Sequence, residues 1–278
     1  MKIAKKYELT GVLGKGKFGA VYQGKNVKTG ELVAIKLEKT DQPHVLKHET
    51  AILNYLYAKS CRNIPPVYMY GIVDHYTYLI MPLYTHTLES GIPVNQFSQV
   101  MQCAIQILGN IHRHGVVHRD MKPENWMVKD RELVLIDFGL ATFYIDDRGR
   151  HLPPCQKTNM IGTPKYASIR VHEGSEYSRR DDLISLAYIG LKLLRGDIWN
   201  VLGLESALDI SSPSNVYLHQ AKRLDRLLPA CPEELAKYIE SVYSLDYSET
   251  PDYDKLKSVF DERQTLKNDI NDSASVSV

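Results

Sequence analysis

Cysteine is scarce in this sequence: four among 278 residues, at Cys61, Cys103, Cys155 and Cys231, widely scattered and with no C-x-x-C pair. That spacing suits neither a disulfide framework nor a zinc site, and it reads as free thiols in a reducing compartment. Net charge is lacking too. The 34 Lys and Arg stand against 33 Asp and Glu, leaving +1. No general electrostatic grip on nucleic acid or an anionic membrane is therefore expected, and neither is expected as a partner. Long hydrophobic runs are missing. The longest, Leu183 to Leu194, is broken by Ser185 and Lys192 and falls short of the ~20 residues that span a bilayer. Met1-Lys2-Ile3-Ala4-Lys5-Lys6 carries positive charge with no apolar segment after it, so no signal peptide is expected. Internal repeats and low-complexity tracts are absent as well. What is present, 44% hydrophobic and 24% charged residues, is the composition of a soluble globular chain, expected to be intracellular and monomeric. At about 150 residues per domain the length predicts roughly two lobes.

The first eighty residues favour strands. Tyr7 to Leu13, Ala20 to Asn26 and Glu31 to Glu38 are short runs separated by glycine-containing turns. One helix interrupts them, opening near Asp41-Gln42-Pro43 and carrying Val45, Ile52, Leu53 and Leu56 at helical spacing. From about residue 95 the pattern turns helical. Phe97, Met101, Ala104, Leu108 and Ile111 recur at steps of four and three, with Asn95 as the expected N-cap. A second helix, with Leu183, Leu186, Ala187, Gly190 and Leu194, is apolar enough to be buried. Residues 115 to 175, between these helices, are loop-rich, and loops on a rigid scaffold are where function sits. The end of the chain from about Asn268 shows no amphipathic period and is expected to be mobile.

Chemistry concentrates in four strings. Gly14-Lys15-Gly16-Lys17-Phe18-Gly19-Ala20-Val21 reads G-x-G-x-x-G-x-V between two strand candidates. Glycines let backbone approach a phosphate closely, but alone this signal is weak. A strand, not a helix, follows Gly19, which separates it from the dinucleotide-binding fingerprint. In Val33-Ala34-Ile35-Lys36, alternation points Ala34 and Lys36 to one face while Val33 and Ile35 pack. A lysine on an apolar strand is usually a snorkelling edge residue; a functional Lys36 needs a carboxylate, and Glu49 is the candidate, three before Ile52 and four before Leu53. The strongest segment is His118-Arg119-Asp120-Met121-Lys122-Pro123-Glu124-Asn125, followed after a strand candidate, Leu133 to Ile136, by Asp137-Phe138-Gly139. Mg²⁺ takes hard oxygen ligands, a few from protein and the rest from phosphate and water. Asn125 and Asp137 suit that work, Asp120 suits a base that orients a hydroxyl, and Lys122 suits neutralising a phosphoryl group in transfer. A polar loop turning between elements would also account for either segment alone, but not for both in this order behind the earlier strings.

Together the four strings resemble the protein-kinase signature set. The resemblance implies an α+β bilobal kinase fold: a five-stranded antiparallel sheet with one helix over 1–84, a larger, mainly helical lobe over 85–265 and a flexible tail over 266–278. Lys122, two residues after the candidate base, resembles the serine/threonine form of the catalytic loop. Gly162-Thr163-Pro164-Lys165-Tyr166-Ala167-Ser168-Ile169 stands where kinases carry A-P-E, and Ser178-Arg179-Arg180-Asp181-Asp182-Leu183 follows. Both resemble the casein kinase I family, as does Leu245 to Tyr253.

That resemblance implies ATP and Mg²⁺ as cofactors and proteins with Ser/Thr, in part acidic, as substrates. It implies that Lys36 holds the α/β-phosphates and pairs with Glu49, that Asn125 and Asp137 bind Mg²⁺, and that Thr163 hydrogen-bonds near Asp120. Asp182 would brace the catalytic loop. The glycine-loop residues Gly14 to Gly19, Lys15, Lys17 and Phe18 included, would cover the phosphates. Met81 falls at the gatekeeper, with the Pro82 carbonyl and the Tyr84 N–H as the adenine hinge; Val21 and Ala34 would roof the base, with Met127 beneath and Ile136 beside the same site.

Departures from the family pattern are at Lys165, where the family has arginine, at Thr142 and Thr158, where lysine is common, and after Trp199, where no lysine cluster follows. A weakened preference for pre-phosphorylated substrates is the expectation. The short tail suggests activity without an upstream kinase. A scaffolding pseudokinase is the alternative from another class, although each motif such proteins commonly lose is present. Cytoplasm is the default location, with the nucleus as second.

Overall fold

The computed structural model describes residues 2–16, 19–41, 45–130, 132–154, 160–196 and 215–261. The chain packs as two compact units, residues 1–90 with 123–143 and residues 91–122 with 144–278.

In the first unit, six antiparallel strands lie in the order β1-β2-β3-β4-β6-β5. They are β1 Lys2–Ile3, β2 Tyr7–Gly16, β3 Gly19–Asn26, β4 Leu32–Lys39, β5 Met69–Val73 and β6 Tyr76–Pro82. Five were expected; β1 adds a two-residue edge strand too short to show a period. Its Ile3, 0% exposed, completes an apolar cluster with Tyr7, Val33, Ile35, Leu37, Tyr78 and Ile80. Val33, Ile35 and Leu37 alternate along β4, so the opposite face carries Ala34, Lys36 and Glu38.

That second face positions the helix α1, Val45–Ala58. The Glu38 carboxylate, buried, accepts the N–H of Val45 at 3.1 Å and of Leu46 at 3.0 Å. An acid at a helix N-terminus satisfies orphan donors and suits the positive end of the helix dipole. Of the residues expected to open this helix, Asp41 precedes it, and Gln42 and Pro43 lie outside the described residues. One turn beyond the cap, Glu49 is buried with Leu46, Ile52, Leu53 and Leu56. A second antiparallel sheet joins β7 His86–Thr87, β8 Trp126–Lys129 and β9 Glu132–Leu135, with β8 in the middle. These pairings, with Asn63 Nδ2 donating to Leu133 O at 3.0 Å and Tyr55 edge-on to Phe143, gather 123–143 into this unit.

The second unit is mainly helical: α2 Phe97–Arg113, α3 Ile169–His172, α4 Arg179–Arg195, α5 Asn215–Ala221, α6 Leu224–Leu227, α7 Glu233–Tyr243 and α8 Tyr253–Ser258. Helix α4 packs on α2 and α7, and α2 also packs on α8. From Leu183 to Leu191 α4 is almost wholly buried, as its apolar run predicts, while Leu194 is only partly so. The Asn95 cap is not found. Pro93 begins a 3-10 turn, Val94–Gln96, closed by Gln96 N–H to Pro93 O at 2.9 Å, and α2 starts from Gln96 with no side-chain cap. Among the described residues no helix is long and apolar enough to cross a membrane.

Candidate active site

In the first unit, Lys36 projects from β4 towards α1. Its Nζ donates to Glu49 Oε1 at 2.6 Å and to Asp137 Oδ1 at 2.9 Å. The geometry follows from the capping described above: Glu38, two residues along the same face of β4, fixes the start of α1, and Glu49 one turn later meets Lys36. Burial alone would lower the Lys36 pKa, but the two carboxylates outweigh it and hold the ammonium above its ordinary value. Asp137 has φ 67°, in the left-handed region. A non-glycine residue there is strained and must be held by its surroundings. The next side chain, Phe138, is fully buried, and His48 Nε2 meets Ala141 O at 2.7 Å, so the turn is clamped to α1 on its far side.

Strand pairing sets Val21 opposite Lys36 and Met81 opposite Ala34. Cross-strand partners share a face, so Val21, Ala34, Lys36 and Met81 lie on one side of the sheet. The glycine string forms the β2–β3 hairpin, with Gly14 opposite Val21, Lys15 opposite Ala20 and Gly16 opposite Gly19. Gly19 has φ 145°, and a Cβ there would stand 2.1 Å from Leu37 O, so no other residue fits. Lys17 and Phe18 lie outside the described residues. Pro82 ends β6, and Tyr84 follows, half-buried, with burial pushing its phenol up to about 12. Met127 is buried in β8, and Ile136 N–H donates to Asn125 O at 2.9 Å, which ties the segment leading to Asp137 to Asn125.

Asn125 and Asp137 offer an amide and a carboxylate oxygen, both hard donors. Among the described residues no group of three or more His, Cys, Asp or Glu gathers as a metal cluster. Two hard oxygen donors suit a small cation that completes its shell from phosphate and water.

In the second unit, both oxygens of Asp120 are engaged. Oδ1 accepts from Thr163 Oγ1 at 2.7 Å, and Oδ2 from Lys122 Nζ at 2.7 Å. The loop that carries Asp120 is held by Asp182, near the start of α4. Its carboxylate accepts the N–H of His118 at 2.7 Å and of Arg119 at 3.0 Å. On its other side Asp182 meets His112 Nε2 at 3.0 Å, and His112 Nδ1 meets the Tyr253 hydroxyl at 2.7 Å. Burial holds His112 below its usual pKa despite Asp182. A neutral ring then donates from Nε2 to the carboxylate and accepts the tyrosine proton at Nδ1. Burial would raise Asp182, but His112 and the backbone donors keep it below the ordinary carboxylate value. Arg119, at φ 69°, is a second left-handed non-glycine residue. Gly162, at φ 91°, comes so close that a Cβ would lie 2.3 Å from Arg119 O, so glycine alone lets this segment approach the loop.

Of the expected contacts, Lys36 with Glu49, Thr163 with Asp120 and Asp182 with the loop that carries Asp120 are present, while Asp137 meets Lys36 and Asp120 meets Lys122 in contacts the sequence did not point to. Nor did it point to His112, Tyr253 or Asp181. Asp181 is fully buried, receives the Ser168 hydroxyl, and accepts Ser178 N–H at 2.7 Å. Asp181 and Tyr253 stand in strings that resemble the casein kinase I family, but no role was attached to them there, and His112 belongs to none of the quoted strings. Of the departures from the family pattern, Lys165 and Thr142 are half-buried, while Thr158 and the segment after Trp199 lie outside the described residues.

The protein kinase domain family matches residues 7–254 of this chain. The chain belongs to the protein kinase family. The sheet-and-helix first unit and the helical second unit are the kinase fold that the motifs implied. Within the family, Casein kinase I homolog 1 of Schizosaccharomyces pombe is 33% identical over an alignment of 272 residues that covers 91% of this chain and 60% of that protein. The kinase described here thus spans 60% of the length of the curated relative it matches.

Proposed function

We propose that this kinase transfers the γ-phosphoryl group of ATP, with Mg²⁺, to Ser or Thr hydroxyls of protein substrates, some of them acidic. The observation that carries the proposal is the fixed carboxylate of Asp120, tied at one oxygen to Thr163 and at the other to Lys122. Phosphoryl transfer asks for positioning and charge stabilisation more than for covalent help. In this reading Lys36 binds the α/β-phosphates and Glu49 orients it. Asn125 and Asp137 hold Mg²⁺, which when bound neutralises charge on the phosphate oxygens. Lys122 stabilises negative charge on the group in transfer, and Thr163 keeps Asp120 turned towards the acceptor. The acceptor oxygen forms a bond to the γ-phosphorus, the bridging P–O bond breaks, ADP leaves, and Asp120 takes the hydroxyl proton.

Activity without activation-segment phosphorylation belongs to the same proposal, and phosphatase treatment is expected to leave the rate unchanged. The decisive test is phosphate transfer by the purified chain to an acidic Ser/Thr peptide, beside Asp137→Ala. Transfer in the wild type and its loss in the variant are expected. No transfer in the wild type, with Mg-ATP binding retained, would overturn the catalytic reading in favour of a scaffold.

A further inference from the structure

Lys222, directly after α5, is fully buried, and phosphoryl transfer as described makes no use of it. Its Nζ donates to Pro164 O at 2.9 Å and to Ala167 O at 2.6 Å, and lies 2.9 Å from His172 Nε2. The Tyr188 ring centre is 4.9 Å away. The backbone of Lys222 is held as well, because its carbonyl accepts the Tyr243 hydroxyl at 2.7 Å. A lysine taken wholly out of water needs such partners.

The arrangement works in either protonation state. An ammonium supplies three donors to two carbonyls and the imidazole nitrogen; a neutral amine donates to both carbonyls, and Nε2–H, which also lies 3.1 Å from Pro164 O, donates to the amine or to that carbonyl. Burial pushes Lys222 well below the usual lysine range, and burial with Lys222 nearby lowers His172 to about 3, so the imidazole is neutral at working pH. The two carbonyls are gripped in both states.

Those carbonyls bracket a turn. Thr163 O accepts the N–H groups of Tyr166 and Ala167, each at 2.9 Å, while Thr163 Oγ1 reaches Asp120. Other anchors hold the ends of the segment: Tyr177 donates to Ile161 O at 3.3 Å, and Ser168 bonds Asp181. Between these ends Lys222 holds the turn from the side. We infer that Lys222 is a positioning residue for the protein substrate: by gripping Pro164 O and Ala167 O it fixes the turn that offers Thr163 to Asp120, and so sets affinity for the acceptor peptide, not for the nucleotide. This rests on the kinase reading above.

The test is Lys222→Met in the full chain, a near-isosteric change that removes the donors. The peptide KM is expected to rise about tenfold or more, while the ATP KM and peptide-free ATP hydrolysis stay within about twofold. An unchanged peptide KM, or hydrolysis falling in step with transfer, would overturn the inference. Since loss of a buried lysine can prevent folding, His172→Gln is the second variant; it keeps Lys222 and is expected to raise the peptide KM about threefold. No rise in a folded His172→Gln chain would count against the inference. Hydrogen exchange separates the two readings. In Lys222→Met, or in His172→Gln if that variant alone folds, the Tyr166 and Ala167 amides should exchange faster with α4 unaffected. Unchanged exchange would refute the grip even if the wild type transferred no phosphate, an outcome that would independently refute the kinase reading.

Discussion

The two units hold their chemical groups in different ways. In the first, side chains hold one another: Lys36 lies between Glu49 and Asp137, and its own backbone is already satisfied by β3 and β6 on either side. In the second, where Asp120 also meets the Thr163 and Lys122 side chains, the loop and the turn that carry these groups are held by side chains that grip backbone. Asp182 takes two N–H groups of the loop before Asp120, Lys222 takes two carbonyls of the turn after Thr163, and Arg179 Nη2 donates to Ser248 O at 2.7 Å. The difference follows from where the residues sit. A strand has its donors and acceptors paired by the ladder, so its side chains can serve charge alone. A buried loop has no ladder, and each of its backbone groups needs a partner from elsewhere. Removing a group from the first unit should therefore leave a charge unpaired, and removing one from the second should release a stretch of chain.

The largest effect is expected at Asp182. Asp182→Ala strips His118 N–H, Arg119 N–H and His112 of their acceptor in a fully buried place, at a cost of about 5 kcal/mol. Chemical denaturation should show the loss, and a variant unfolding within about 1 kcal/mol of the wild type would contradict the idea that the loop depends on this carboxylate. Next comes Lys36→Met, which leaves Glu49 buried beside Asp137 without its cation. About 3 kcal/mol is expected, and adding Glu49→Gln should recover part of it. If the double variant were as unstable as the sum of the singles, the charge would not be the issue.

The smallest effect is a pH dependence at Asp181. Burial raises this acid to about 6, against partial relief from Ser168, Ser178 N–H and Arg180. The folded chain thus binds the proton more tightly than the unfolded one, so this stabilisation is full below about pH 4 and lost as pH rises to about 6, roughly 2 to 3 kcal/mol in all. Asp181→Asn, which mimics the protonated acid, should flatten that part of the stability profile. A slope unchanged by the substitution would show that other groups produce it.

The same contrast explains what the sequence disclosed. Lys36, Asp120 and Asp137 were legible because each stands in a motif string, and Glu49 because it lies three and four residues before the apolar Ile52 and Leu53 of its helix. The strands were legible from alternation at Val33, Ile35 and Leu37, and α4 from its apolar run. Asp182 was reached only through resemblance. His112, Tyr253 and Lys222 were not legible, because a side chain that grips a loop can come from any element near it. Ala221-Lys222-Arg223 reads like an exposed basic pair, and the acceptors of Lys222 lie more than fifty residues away. Asn95 misled for a local reason: a good capping residue lost its place to the turn set by Pro93.

The first unit is made of two separate stretches, residues 1–90 and 123–143. On the ribosome its sheet can pair as soon as the early strands emerge, but β7 must wait for β8, and Asn63 must wait for Leu133. At about 5–20 residues per second, the interval between residue 90 and residue 143 is several seconds. The nascent chain spends that time with Lys36 and Glu49 made and Asp137 still to come.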